Sequence, residues 1–232
     1  MIPIGDDPPP RRTFPIVTLT LIAVNIVVFL FELTVSNTDT LFRSAGVTPL
    51  EFATGRDIPP PAPYNSFYLT LLTSMFLHGG FLHIGSNMLF LWIFGDNVED
   101  RMGHGRYLVF YLLAGVLGNL AQVLAMPDST VPLIGASGAI AGVMGAYLVL
   151  FPRSRILVLI FLLFYINIIE VSAVFFLAFW FLMQLLSGAG QLANMSGASV
   201  GFFAHIGGFL TGALGVAVFK RRDREAVEWW GA

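Results

Sequence analysis

The sequence predicts an all-α, polytopic membrane protein whose helices cross the bilayer six times. Three observations carry that expectation. Charged residues make up only 11% of the 232, and hydrophobic residues 56%, whereas soluble domains are about a quarter charged. The mean hydropathy is +0.79. Apolar runs of about twenty residues recur between polar or basic turns, the length that a hydrocarbon layer of about 30 Å asks of a helix. The formal net charge of −2 says little, because in such a protein the location of charge matters more than its sum. The absence of cysteine excludes disulfides, thiolate metal sites and a thiol nucleophile. The few basic residues form no stripe for nucleic acid.

The elements follow in order. Residues 1–14 form a polar segment ending near Arg11 and Arg12, and the first span runs from about Pro15 to Leu33. Its length and the lack of a small-x-small cleavage site make it a retained helix, not a signal peptide. A long first loop, 36–80, contains the spacer Pro59-Pro60-Pro61-Ala62-Pro63, and its last part, Leu69 to Gly80, is apolar but too short to cross. That part reads as a segment dipping back toward the membrane. Span two is about Phe81 to Asn97, span three Tyr107 to Met126, and span four Ser137 to Phe151. The run from Arg155 to Leu186 exceeds one crossing, so the fifth helix is expected to start near Asn167–Glu170. Arg155 to Ile166 would then lie along the inner face, with Glu170 at a helix N-terminus, where a carboxylate is favoured. Span six is about Gly201 to Phe219, and 220–232 form a tail whose Trp229 and Trp230 suit a membrane interface. The membrane domain is thus 15–219.

Basic residues orient this domain. Arg11, Arg12, Arg101, Arg106, Arg153, Arg155, Lys220, Arg221, Arg222 and Arg224 fall on one side, leaving Arg43 and Arg56 in the first loop. An excess of Lys and Arg marks the cytoplasmic side, so both termini are expected there. Spans two, four and six then run from outside to inside. His83 and Asn87 near the start of span two, Ser137 at the start of span four and His205 one turn into span six share a depth near the outer face. Ionisable groups at such depth are functional candidates. Gly138 and Gly142 on span four, with Ala141 and Gly145 adjoining, face a matching set of Ala204, Gly208 and Gly212 on span six. Small residues four apart let membrane helices approach closely, which would bring Ser137 to His205. A serine beside a histidine is a nucleophile beside a base.

These residues resemble a known family. Gly135-Ala136-Ser137-Gly138, Ala204-His205-x-x-Gly208-x-x-x-Gly212 and His83-x-x-x-Asn87 together are similar to the rhomboid intramembrane serine proteases. The segment His78-Gly79-Gly80-Phe81-Leu82-His83 and the turn Glu99-x-Arg101-x-Gly103 resemble them too. The resemblance implies a six-helix bundle and a serine-type endopeptidase that cuts transmembrane protein substrates in the lipid bilayer without a cofactor or metal. It implies Ser137 as nucleophile and His205 as general base, a dyad, with His83 and Asn87 stabilising the oxyanion and the site opening to the extracytoplasmic side. His78, Gly135, Glu99 and Arg101 are expected to be structural supports, the last two pairing or capping their own turn. The rivals are an inactive rhomboid-like protein that binds membrane helices, a haem-binding bundle and a transporter. Intact Ser137 and His205 weigh against the first, close glycine packing against the second, and the lack of related halves against the third.

Other polar residues are expected to be quieter. Asn25, Asn119, Gln122 and Gln184 read as interhelical hydrogen bonds, His104 as part of a charged turn, and Asp128 as a solvated loop residue. Two positions depart from the family pattern: Ala141 stands where an aromatic often stacks on the histidine, and Leu69-Thr70 where a Trp-Arg pair often stands.

Overall fold

A computed structural model describes residues 2–8, 11–62, 66–162, 165–194 and 200–221. Pro63, Arg222, Arg224, Trp229 and Trp230 lie outside the described residues. The described chain runs β1 (Ile2–Asp6), α1 (Ile16–Glu32), α2 (Thr38–Ala45), α3 (Pro49–Thr54), and α4 (Thr70–Thr73) between the 3₁₀ turns Phe67–Leu69 and Ser74–Phe76. It continues with α5 (Phe81–Met102), α6 (His104–Ala125), α7 (Ser137–Leu150), β2 (Arg155–Leu162), β3 (Tyr165–Ser172), α8 (Ala173–Asn194) and α9 (Phe202–Phe219).

The protein is a mostly helical, multi-pass membrane bundle. Among the described residues, α6, α8 and α9 are long and apolar enough to cross a bilayer, and Phe67–Phe76 joined to α5 through an 80° bend makes a fourth candidate. The apolar helices α1 and α7 are shorter, at 17 and 14 residues. The bend falls at Gly79-Gly80, where the apolar segment was expected to dip back. Gly80 has φ +156° and caps the start of α5.

The expectation of an all-α fold is corrected by a three-stranded sheet in the order β1-β2-β3, antiparallel throughout. Pro152 ends α7, since the residue before a proline avoids helical geometry. The run that follows is rich in Ile and Val, which favour a pleated strand. It forms a hairpin from Arg155 opposite Ser172 to Leu162 opposite Tyr165. Ile156 and Val158 face the core, whereas Ile166 and Ile168 are exposed, the two-residue alternation of a strand. The fifth helix therefore starts at Ala173, not near Asn167–Glu170. Glu170 lies in β3, where its carboxylate accepts from Arg155 at 2.6 Å. A continuous apolar run cannot separate a buried helix from a strand by periodicity, and here β-branched residues decide.

Glu99 and Glu32 close helix ends that would otherwise leave backbone donors bare. Glu99, with 0% exposure, accepts from Val17 N–H at 2.9 Å, Thr18 N–H at 2.7 Å and the Thr18 hydroxyl at 2.7 Å. It caps the N-terminus of α1, which has no side-chain cap of its own. Its second role is in the turn, through His104 Nδ1 at 2.6 Å. Glu99 thus reaches beyond its own turn, and His104 is a partner rather than an idle member of that turn. Arg101 lays its guanidinium over the Phe151 ring at 5.0 Å, and its carbonyl accepts from Arg221 N–H. The first loop is anchored without a Trp-Arg pair. Val47 and Leu133 exchange backbone hydrogen bonds at 2.8 and 3.0 Å, Leu50 N–H donates to Ser129 O, and the Thr73 hydroxyl donates to Ala45 O at 2.7 Å.

Residues 2–8 dock at the end of the bundle opposite Ser137. Asp6 Oδ2 accepts from the Tyr147 hydroxyl at 2.6 Å and from Asn97 Nδ2 at 3.1 Å, while Asp7 accepts from Arg155 N–H at 2.6 Å. Burial pushes the Asp6 carboxyl up from 3.8 to about 7; neighbouring Asp96 and Asp7 push the same way, and the Tyr147 hydrogen bond opposes them. The folded value lies above the unfolded one, so the neutral carboxyl is the form the fold favours. Its stabilisation is full below about pH 4 and is lost as the pH rises through about 7. Acidification from pH 8 to pH 5 is therefore expected to raise the amide protection factors of β1, exchange rates being divided by their intrinsic values at each pH, and Asp6→Asn to remove most of that rise. Equal pH dependence in the variant would contradict the assignment to Asp6.

Candidate active site

The site is assembled from the first turns of α5, α7 and α9. Helices α7 and α9 pack backbone to backbone. A Cβ at Gly208 would run into the Gly138 carbonyl oxygen, and one at Gly212 into that of Gly142. Gly142 in turn lies 3.2 Å, measured from its would-be Cβ, from Gly208 O. The two stripes expected from sequence are thus in contact with each other. On its other side α9 meets α6, where a Cβ on Gly118 would stand 2.7 Å from Ala204 O. Gln122 of α6 accepts from Phe203 and Ala204 N–H at 3.1 and 3.3 Å and so caps the start of α9.

With α9 fixed on both sides, His205 Nε2 lies 2.8 Å from Ser137 Oγ. Ser137 is the first residue of α7, so its N–H has no partner within the helix. Gly135 approaches with φ +120°, outside the range of most side chains, and its N–H donates to Ser74 O at 2.8 Å. A Cβ there would stand 2.7 Å from His83 Nε2 and 3.6 Å from Asn87 Nδ2. Only a glycine two residues before the serine lets both α5 side chains come this close.

The polarity of this corner follows from the hydrogen bonds. Gly79 N–H donates to His83 Nδ1 at 3.3 Å, so neutral His83 carries its proton on Nε2, the nitrogen facing Gly135. Asn87 is 6% exposed, and its Nδ2 is buried with no partner among the described residues. An unspent amide donor beside an imidazole N–H suits an oxygen that gains negative charge. Ser137, His83, Asn87 and His205 border a cavity of about 610 Å³, which the loop Val131–Ile134 and Trp180 also line.

His78 supports the site from behind. It is buried, its N–H donates to Glu32 at 3.1 and 3.3 Å, and its ring meets His83 edge-on at 5.1 Å. Glu32 is not among the site residues expected from the sequence. A carboxylate at the end of an apolar helix, facing a glycine-rich bend, was the available signal. Asn119 joins α6 to Leu71 O and Ser74 Oγ, both at 3.0 Å, and Gln122 and Gln184 also bond across helices. Asn25 does not: its amide donates to Leu21 O of its own helix. Asp128 is exposed in a loop. The neighbours of His205 come instead from α8. Gln184 Oε1 is 2.8 Å from Nδ1, and the Trp180 ring lies 5.9 Å away, tilted by 37°. A ring thus lies beside the imidazole although position 141 is an alanine, and it comes from α8.

The chain is also similar to known proteins. Residues 65–222 match the profile of the Rhomboid domain. Over 170 residues the chain is 32% identical to Rhomboid protein 1, mitochondrial, of Saccharomyces cerevisiae, covering 69% of this chain and 46% of that protein. It is 39% identical over 136 residues to Rhomboid protease GluP of Bacillus subtilis, covering 58% and 25%. To Putative rhomboid protease YdcA of Bacillus subtilis it is 31% identical over 137 residues, covering 59% and 63%. The chain spans less than two thirds of each of these relatives.

A serine hydrogen-bonded to a histidine should be nucleophilic in the resting protein. Incubation with a fluorophosphonate probe is expected to label Ser137, located by peptide mass spectrometry. His205→Ala should slow labelling by at least about a hundredfold, the lower range for general-base assistance. Equal labelling of the variant would show that His205 does not activate the serine.

Proposed function

The chain belongs to the rhomboid family, and we propose that it is an active intramembrane serine endopeptidase working through a Ser137–His205 dyad. The observation that carries this reading is the 2.8 Å contact between Ser137 Oγ and His205 Nε2, beside the unspent donor of Asn87. As Oγ attacks a peptide carbonyl, Nε2 takes the serine proton and returns it to the leaving amine. The carbonyl oxygen becomes an oxyanion. Asn87 Nδ2–H, His83 Nε2–H and the Ser137 N–H are the donors it meets. Water then attacks the acyl group, with His205 again the base.

The membrane setting extends the proposal. We read α1, the bent segment with α5, and α6 to α9 as six spans with both termini cytoplasmic. The 14 residues of α7 rise about 21 Å, short of the hydrocarbon thickness of about 30 Å. Ser137 is therefore recessed from the extracytoplasmic surface, and the cavity supplies it with water. A helical substrate hides its carbonyls in its own hydrogen bonds and must unwind to react. Substrates are accordingly transmembrane segments with small or helix-breaking residues near the outer face.

The test is cleavage of a generic transmembrane substrate by purified protein in detergent. Ser137→Ala and His205→Ala should each abolish it. Asn87→Ala should lower kcat by about 10²–10³-fold, as loss of an oxyanion donor does, with KM little changed. Cleavage that persists in both dyad variants would refute the assignment. Failure of the wild-type protein to cut would favour binding of membrane helices without cleavage.

A further inference from the structure

We propose that Gln184 is the positioning residue for His205, a neutral third member of the site that sets the imidazole tautomer. This rests on the dyad reading above and adds a role to it. Neutral His205 can take the serine proton on Nε2 only if its own proton sits on Nδ1. Gln184 Oε1 stands 2.8 Å from Nδ1, on the ring edge opposite Ser137. A carbonyl oxygen there accepts Nδ1–H and leaves the Nε2 lone pair facing the hydroxyl. The reversed amide would donate to Nδ1 and force the proton onto Nε2, where it would point at the serine.

Two further observations favour positioning over a simple helix tie. Trp180 lies four residues before Gln184, so both project from one face of α8. One covers the imidazole face and the other holds its edge. Among the described residues His205 bonds to Gln184 and Ser137 and to no carboxylate, and Asp128 is exposed in its loop. An amide does the same work without placing a charge in an apolar site, where an ionised carboxylate would be far more costly.

The experiment uses the full chain labelled with ¹⁵N-histidine, with His205 signals assigned by their loss in His205→Ala. In the wild type, His205 is expected as the Nδ1–H tautomer. Gln184→Met keeps the length and helix preference of the side chain but removes the acceptor. It should move His205 toward the Nε2–H tautomer and lower kcat about tenfold, the worth of one net hydrogen bond, with KM within about twofold. An unchanged tautomer in Gln184→Met would overturn the proposal whether or not kcat falls. The tautomer is read on resting protein, so it decides the role of Gln184 separately from whether cleavage occurs.

Discussion

The site depends on how closely α7 and α9 approach. Ser137 and His205 are 68 positions apart in sequence, and their hydrogen bond exists because two glycine stripes bring backbones into contact. Any side chain at Gly208 or Gly212 would occupy space already held by a carbonyl oxygen of α7. In a bilayer, where lipid is as apolar as the helix surface, such fit is a principal source of helix association. Packing and chemistry are therefore one constraint here. The residues that let the helices touch also set the distance between Ser137 and His205.

Around that contact, buried polar groups complete helix ends instead of standing as isolated charges. Glu99 caps α1, Gln122 caps α9 and Glu32 receives the bend before α5. Each satisfies backbone donors that hydrocarbon could not. The exceptions stand out because of this economy. Asn87 Nδ2 is one of the buried groups with no partner among the described residues, and in the proposed mechanism its unspent donor meets the reacting oxygen.

Much of this was legible in the chain. Ser137, His205, His83 and Asn87 could be expected at one site because apolar runs and basic turns mark out the helices, and the glycine stripes named the contacting faces. The hairpin at 155–172 was not legible as strands, since an unbroken apolar run looks alike in a buried strand and a helix. Gln184 and Trp180 could be seen as an amide and a ring within one helix, but not as partners of His205. That requires the rotation of α8 about its axis, which no pattern in an almost wholly apolar helix encodes. Glu99 was visible at its turn, whereas its reach to α1 came only from the folded arrangement.

The central claim is that glycine contact between α7 and α9 creates the nucleophile. Its most direct test is the rate at which fluorophosphonate labels Ser137 in Gly208→Ala, a variant that leaves both dyad residues intact. The added methyl must push the helices apart at Gly138, next to the serine. Labelling is expected to slow at least about tenfold in protein whose helical content by circular dichroism is unchanged, since overpacking costs about 1–3 kcal/mol. Labelling at the wild-type rate in that folded variant would contradict the account.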